Sequence, residues 1–165
     1  MSMREARYAV ALFVGLAACC VAPPEARAAD LAASVGVLEV VGVPGGAHLG
    51  VYPYLGLAAV LPMGSTTLIP SLSFEWSPDQ SRDGFVAALT ADFGINDTLG
   101  FDLNVAFIHD QPKLDFGQSI FLVGGGPGVS LFFGPWTVSP YVSAYRDLSG
   151  GGWCVSPAVN LARTL

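Results

Sequence analysis

Lysine and arginine are scarce, seven in 165 residues, and charged side chains of both signs make up only 12 % of the chain. A soluble domain covers itself with roughly 25–35 % charged residues, so an ordinary water-facing surface is not encoded. Beyond residue 28, four basic residues (Arg82, Lys113, Arg146, Arg163) stand against eleven Asp and Glu, a net charge of −7. That balance offers no electrostatic footprint for nucleic acid, which is excluded as a partner. Cysteine is equally scarce. Of Cys19, Cys20 and Cys154, only the last lies beyond the N-terminal segment, which excludes an intramolecular disulfide and a cysteine zinc site there. Long apolar runs are missing too. After the N-terminus no stretch of about 18 apolar residues occurs, so no transmembrane helix is expected.

What is present is apolar residues, 52 % of the chain, and glycine, 20 copies spread from end to end. Such a chain is too apolar to remain disordered. Much apolar surface, little charge and no long apolar run are reconciled by a sheet whose outward face meets lipid. The first residues read as an export signal. Arg4 and Arg7 give a positive start, Tyr8 to Ala22 an apolar stretch, and Ala26-Arg27-Ala28 a small-x-small cleavage site, so residues 1–28 are expected to be a cleaved secretory signal peptide and 29–165 a single barrel domain. Leu16-Ala17-Ala18-Cys19 also fits the pattern that precedes an acylated cysteine in bacterial lipoproteins; both readings export the protein.

The remainder divides into eight runs with period-two alternation, separated by Gly, Pro, Asn, Asp and Ser clusters: Ser34 to Val43, His48 to Leu61, Thr66 to Ser77, Gly84 to Ile95, Leu99 to His109, Ser119 to Phe133, Trp136 to Asp147 and Gly152 to Thr164. No i, i+3, i+4 pattern persists, so no amphipathic helix is predicted. The fifth run sets Leu99, Phe101, Leu103, Val105 and Phe107 against Gly100, Asp102, Asn104, Ala106 and Ile108. The eighth sets Trp153, Val155, Pro157, Val159 and Leu161 against Cys154, Ser156, Ala158, Asn160 and Ala162. Alternation alone also suits a soluble sandwich or a lipocalin-like barrel. The second face decides, because it carries Gly, Ala, Ser, Thr, Asn and Tyr where a solvated face would carry Lys, Glu and Arg. Small and polar side chains fit the inside of a narrow eight-stranded barrel.

Connection lengths give a direction. The even-numbered connections (Pro62 to Ser65, Asn96 to Thr98, Gly134-Pro135) are tight, whereas three of the four odd ones, Pro78 to Asp83, Asp110 to Gln118 and Leu148 to Gly151, are as long or longer, and only the first, Pro44 to Ala47, is short. Outer-membrane barrels have short periplasmic turns and longer outer loops. With that direction, Trp76, Phe85, Phe107, Phe121 and Trp153 fall near the outer ends of their strands, and Phe93, Phe101, Phe133 and Trp136 near the inner ends. These are two aromatic girdles. The fold expected is therefore all-β, an eight-stranded antiparallel up-and-down transmembrane β-barrel in the outer membrane of a Gram-negative bacterium. Five prolines within the runs, Pro53, Pro70, Pro127, Pro140 and Pro157, each remove a ladder donor, so some are expected at bulges or kinks, or else the strand boundaries lie elsewhere.

The whole of the segment after residue 28 resembles the small eight-stranded outer-membrane barrel class, similar in size to the transmembrane domain of outer membrane protein A. The resemblance is architectural. It implies outer-membrane lipid as surroundings, and barrel-assembly machinery as a partner that reads the C-terminal strand. Members of that class end in an alternating segment closing on an aromatic residue; here Val159, Leu161, Arg163 and Leu165 keep the alternation but close on Leu. Arg163 is expected to snorkel at the inner interface.

Residues able to carry chemistry collect on the lumenal face. His48, Tyr52, Tyr54, Glu75, Tyr141 and Tyr145 are binding candidates, alternatively filling. Asp92 and Asp102 lie five residues either side of Asp97 at a tight turn, and should face each other as a cation site, a proton-sharing pair or two hydrated acids. No cofactor, dedicated metal site or catalytic residue is expected. Gly124 to Gly128 lacks the Lys and helix of a phosphate loop and is expected to let neighbouring side chains cross the lumen. The barrels that deacylate lipid A use a lipid-facing His two residues from a Ser, a spacing that neither His109 nor His48 offers. The reading is a non-enzymatic barrel that is structural or presents loops, with Asp110 to Gln118 the contact segment. The alternatives are a periplasmic or lipid-anchored lipocalin-like barrel binding a small apolar ligand, and a lipid A-modifying enzyme with His109 near its centre.

Overall fold

The computed structural model describes residues 30–43, 48–77, 82–112 and 119–165. Eight strands follow in chain order: β1 (Asp30–Val43), β2 (His48–Met63), β3 (Thr66–Ser77), β4 (Arg82–Asn96), β5 (Leu99–Pro112), β6 (Ile120–Phe133), β7 (Trp136–Asp147) and β8 (Trp153–Thr164). Each pairs antiparallel with the next. β1 also pairs with β8, from Ala32↔Thr164 to Val43↔Trp153, so the sheet closes as a barrel without an edge. Closure satisfies every strand on both sides, the condition for a sheet in hydrocarbon. At the seam the Leu165 N–H donates to the Leu31 carbonyl at 2.8 Å. All eight expected strands are present, with ends shifted by four residues or fewer. The expected signal segment 1–28 lies outside the described residues, as do 113–118, most of the expected contact segment.

Two-residue turns at 64–65, 97–98 and 134–135 mark one end of the barrel, the turn end. Gly64 and Gly134 hold φ of +68° and +63° there, a conformation that L side chains avoid. In the remaining turn Asn96 Oδ1 accepts from Thr98 N and Thr98 Oγ1, both at 2.9 Å. At the opposite, loop end the described connection is 148–152. It is fastened by Asp147 Oδ1, which accepts from Ser149 N at 2.7 Å and Gly150 N at 3.0 Å, and by a Leu148 N–H to Phe121 carbonyl bond of 2.8 Å.

Outward positions are apolar and exposed, as at Leu57 (63 %) and Val105 (64 %). The expected girdle residues Phe85, Phe93, Phe101, Phe133, Trp136 and Trp153 are exposed as well. At the loop end Phe74 meets Phe85 edge-on at 5.5 Å and stacks with Trp76 at 6.3 Å, while Phe107 lies 6.1 Å from Phe121. The inside is less uniform than expected. Its loop-end half packs Leu38, Val40, Ile108 and Leu122 with Tyr52, Tyr54 and Tyr145 into an apolar core. Small and polar residues dominate only towards the turn end.

The prolines correct another expectation. The two ladder irregularities fall at Val40/Val41 and Gly94/Asn96, neither at a proline. Each proline instead keeps one ladder and interrupts the other. Pro70 pairs with Leu89 of β4, while the β2–β3 ladder lapses between Ala58↔Ser71 and Leu61↔Leu68. Pro127 pairs with Leu103, Pro140 with Val159 and Pro157 with Val142. Their opposite ladders lapse at 126–127 and 129–130 of β6 and at 156–157 of β8. Pro53 pairs with Val37, and the β2–β3 ladder begins only at Tyr54. A residue without an N–H thus faces the side where no ladder bond forms.

Candidate functional site

The lumen collects the polar side chains because even-numbered positions on β4, β5, β6 and β8 and odd-numbered positions on β7 point inward. Towards the loop end, Glu75 is 1 % exposed and its Oε2 has no hydrogen-bond partner. Glu75 and Asp110 both pair with Gly84, one from either side, so their side chains flank a strand position that has none. A Cβ at Gly84 would lie 2.7 Å from Glu75 Oε1. Tyr52 Oη donates to Asp110 Oδ2 at 3.4 Å, and the hydroxyls of Tyr54 and Tyr141 are 3.3 Å apart. Gly36 seats the Tyr54 ring in the same manner. Tyr145 is buried in this cluster.

Towards the turn end, Asp92 and Asp102 pair directly across β4 and β5, in the register expected around Asp97. They are 5 % and 4 % exposed. Ser130 Oγ donates to Asp102 Oδ2 at 2.7 Å and lies 2.9 Å from Ser139 Oγ. Between the two levels Asn104 Oδ1 accepts from Ser143 Oγ and Gly126 N, both at 3.1 Å. The serines and Asn104 occupy the stretch where the β6–β7 ladder lapses, so side-chain bonds bridge strands that backbone bonds leave open.

Of the sequence-derived candidates, Tyr52, Tyr54, Glu75, Tyr141 and Tyr145 come together, joined by Asp110, and Asp92 meets Asp102. For His48 only the backbone is described, pairing with Val41. Sequence reasoning assigned Asp110 to a loop. β5 runs on to Pro112, and the parity shared with Asp102, Asn104 and Ile108 carries Asp110 inside. Ser130 was hidden because glycine blurs the alternation of β6; Ser139 and Ser143 lie on β7, two residues either side of Tyr141 on the same face. The expectation for Gly124 to Gly128 is corrected. A Cβ at Gly124, Gly125 or Gly126 would run into the carbonyl oxygens of Ala144, Asn104 and Val142, so these glycines admit neighbouring backbone. Within that run only Gly128 faces side chains, 2.9 Å from Tyr141 Cβ and 3.4 Å from Asp102 Cβ.

The outer surface carries two Arg–Trp pairs. Arg146 lies over Trp153 at 5.6 Å at the loop end, and Arg163 over Trp136 at 5.4 Å at the turn end, cation–π contacts that fix each guanidinium beside its aromatic anchor. His109 stacks on Phe121 at 4.4 Å and 10°. It therefore faces outward while Asp110 faces the lumen, and the sheet lies between them. Among the described residues no three His, Cys, Asp or Glu side chains converge on a point.

A closed eight-stranded antiparallel barrel with an apolar exterior, aromatic rims and a polar lumen is the architecture of the small outer-membrane barrels. Among solved structures the chain is similar to Neisserial surface protein A, with a TM-score of 0.57 at 10 % identity over 85 % of this chain and 99 % of that one. It is also similar to a de novo designed transmembrane β-barrel, with a TM-score of 0.51 at 11 % identity over 81 % and 95 % of the two chains. No protein-family model and no curated protein matches the sequence.

Proposed function

We propose that the protein is a non-enzymatic outer-membrane barrel that serves as a structural component or presents its loop-end connections at the cell surface. The observation that carries this reading is the filled lumen. Leu38, Val40, Ile108 and Leu122 with three tyrosines occupy its loop-end half, and eight strands leave little bore beyond what side chains fill. On the exterior, His109 is stacked on Phe121, and the sheet separates it from the lumenal Asp110. Function then falls to the loop end, where residues 113–118 connect β5 to β6 as the contact segment. Export by the signal segment and insertion by barrel-assembly machinery acting on β8 complete the proposed route.

Fractionation tests the location. The protein is expected in the outer-membrane fraction, soluble only with detergent, with heat-dependent migration in denaturing gels. Recovery in a detergent-free soluble fraction would refute the reading. Surface protease is expected to cut an epitope placed within 113–118 on intact cells, and planar bilayers containing the protein are expected to show no discrete conductance steps. His109→Ala is expected to leave lipid A composition unchanged; an altered composition would restore the enzyme alternative.

A further inference from the structure

Asp92 and Asp102 face each other across one sheet pair inside the lumen, nearly out of reach of solvent. Like charges directly opposite on a sheet destabilise the pair, and buried charge requires compensation. None comes from a basic side chain among the described residues. Arg146 and Arg163 lie on outward-facing tryptophans, and His109 stacks on Phe121. Ser130 supplies one donor, to Asp102 Oδ2. Asp102 Oδ1 is inaccessible and has no hydrogen-bond partner, so the more buried of the two carboxylates keeps one acceptor unsatisfied beside its opposed acid.

We propose that Asp92 and Asp102, together with the Ser130 hydroxyl, bind a divalent cation of the calcium class in the turn-end half of the lumen. Every available group is a hard oxygen. Among the described residues no Cys or His converges with the pair, which sets aside metals that select sulfur or imidazole. Calcium takes six to eight oxygens at about 2.3–2.6 Å in irregular geometry and accepts carboxylate, hydroxyl and water together. Directly opposed residues have Cβ atoms about 4.5–5.5 Å apart, close enough for both carboxylates to reach one ion. The ion would turn a cross-strand repulsion into a bridge between β4 and β5 and give Asp102 Oδ1 its missing partner. The weak calcium sites of extracellular modules have affinities of about 10⁻⁴–10⁻³ M, the range expected for a site with only two carboxylates. The competing arrangement is one proton shared between the two acids.

Terbium, a calcium substitute excited through nearby tyrosine, separates the two. Tyr141 and Asp102 both flank Gly128, which puts a sensitiser beside the site. The protein purified in detergent micelles is titrated with Tb³⁺ and then with CaCl₂. Saturable tyrosine-sensitised emission, displaced by millimolar calcium, is expected. Asp92→Asn and Asp102→Asn should each weaken binding about tenfold or more, while Asp97→Asn, an exposed acid of the adjacent turn, leaves it unchanged. Heat-dependent migration reports whether each variant folds. Independently of any variant, millimolar CaCl₂ should raise the urea midpoint of the unmodified protein. Emission that calcium does not displace, folded Asn variants that titrate like the parent, or a midpoint indifferent to calcium would each overturn the proposal. A shared proton predicts all three.

Discussion

Replacing Gly84 with alanine tests the packing of the lumen beside Glu75. Gly84 is not among the positive-φ glycines, so alanine meets no backbone objection and the cost is steric. Its Cβ would stand 2.6 Å from the His109 carbonyl oxygen and 2.7 Å from Glu75 Oε1. The first is backbone. The second belongs to a side chain only 1 % exposed, which has little room to retreat. Overpacking of this kind costs about 1–3 kcal/mol. Gly94 lies on the same strand with nothing within 4 Å of its would-be Cβ, and alanine there should be neutral or stabilise by about 0.4–1 kcal/mol through the unfolded chain. With a urea slope of about 2 kcal/mol/M, Gly84→Ala lowers the unfolding midpoint by about 0.5–1.5 M, and Gly94→Ala leaves it in place or raises it by up to about 0.5 M. Tryptophan fluorescence in micelles or vesicles reads both. If Gly84→Ala unfolds with the parent while Gly94→Ala unfolds early, Glu75 is not seated over Gly84 and the assigned β3–β4–β5 register fails.

Three further substitutions probe the exterior, a strand proline and the outward histidine. Val105→Arg, in the middle of the exterior, should destabilise the barrel in lipid by about 2–4 kcal/mol, whereas Ile95→Arg near the turn end should cost about 0–1 kcal/mol; equal costs, measured by urea titration in vesicles, would contradict a membrane-embedded exterior. Pro140→Ala restores an N–H on the side where the β6–β7 ladder has lapsed, so its midpoint should move by no more than about 1 kcal/mol equivalent. A loss above about 3 kcal/mol would mean the ring itself supports the strand. His109→Ala removes a stacked pair and should cost about 0.5–1.5 kcal/mol in the same titration.

The faces of β3, β5 and β8 were legible because a side-chain period of two leaves a visible alternation, and Asp92↔Asp102 followed once the turn at Asp97 was located. What escaped depends on neighbours. The lapses beside Pro70, Pro127, Pro140 and Pro157 require knowing which side of each strand lacks a ladder bond, and one strand's sequence does not hold that. The division of the lumen was missed for a related reason. Leu38 and Val40 face inward on β1 next to equally apolar Val35 and Val37 that face outward, so composition cannot tell the two faces apart. Glycines in β6 read as gaps for side chains, yet at Gly124 to Gly126 they answer to carbonyl oxygens of adjacent strands, a constraint of backbone proximity with no trace in the pattern.

The two Arg–Trp pairs on the β7–β8 hairpin also set a length. Trp136 and Arg146 are ten residues apart on one strand, opposite Arg163 and Trp153 on the next. At about 3.3 Å per residue and a tilt near 40°, the anchors stand about 25 Å apart along the barrel axis. Each end couples a charge that resists entering hydrocarbon to a ring that settles at the headgroup level. The hairpin therefore behaves as a fixed gauge in the bilayer. In a thicker membrane one pair or the other would have to be drawn below the interface, at a cost of fractions of a kcal/mol per Å, so thickness alone would bias the protein towards thin membranes.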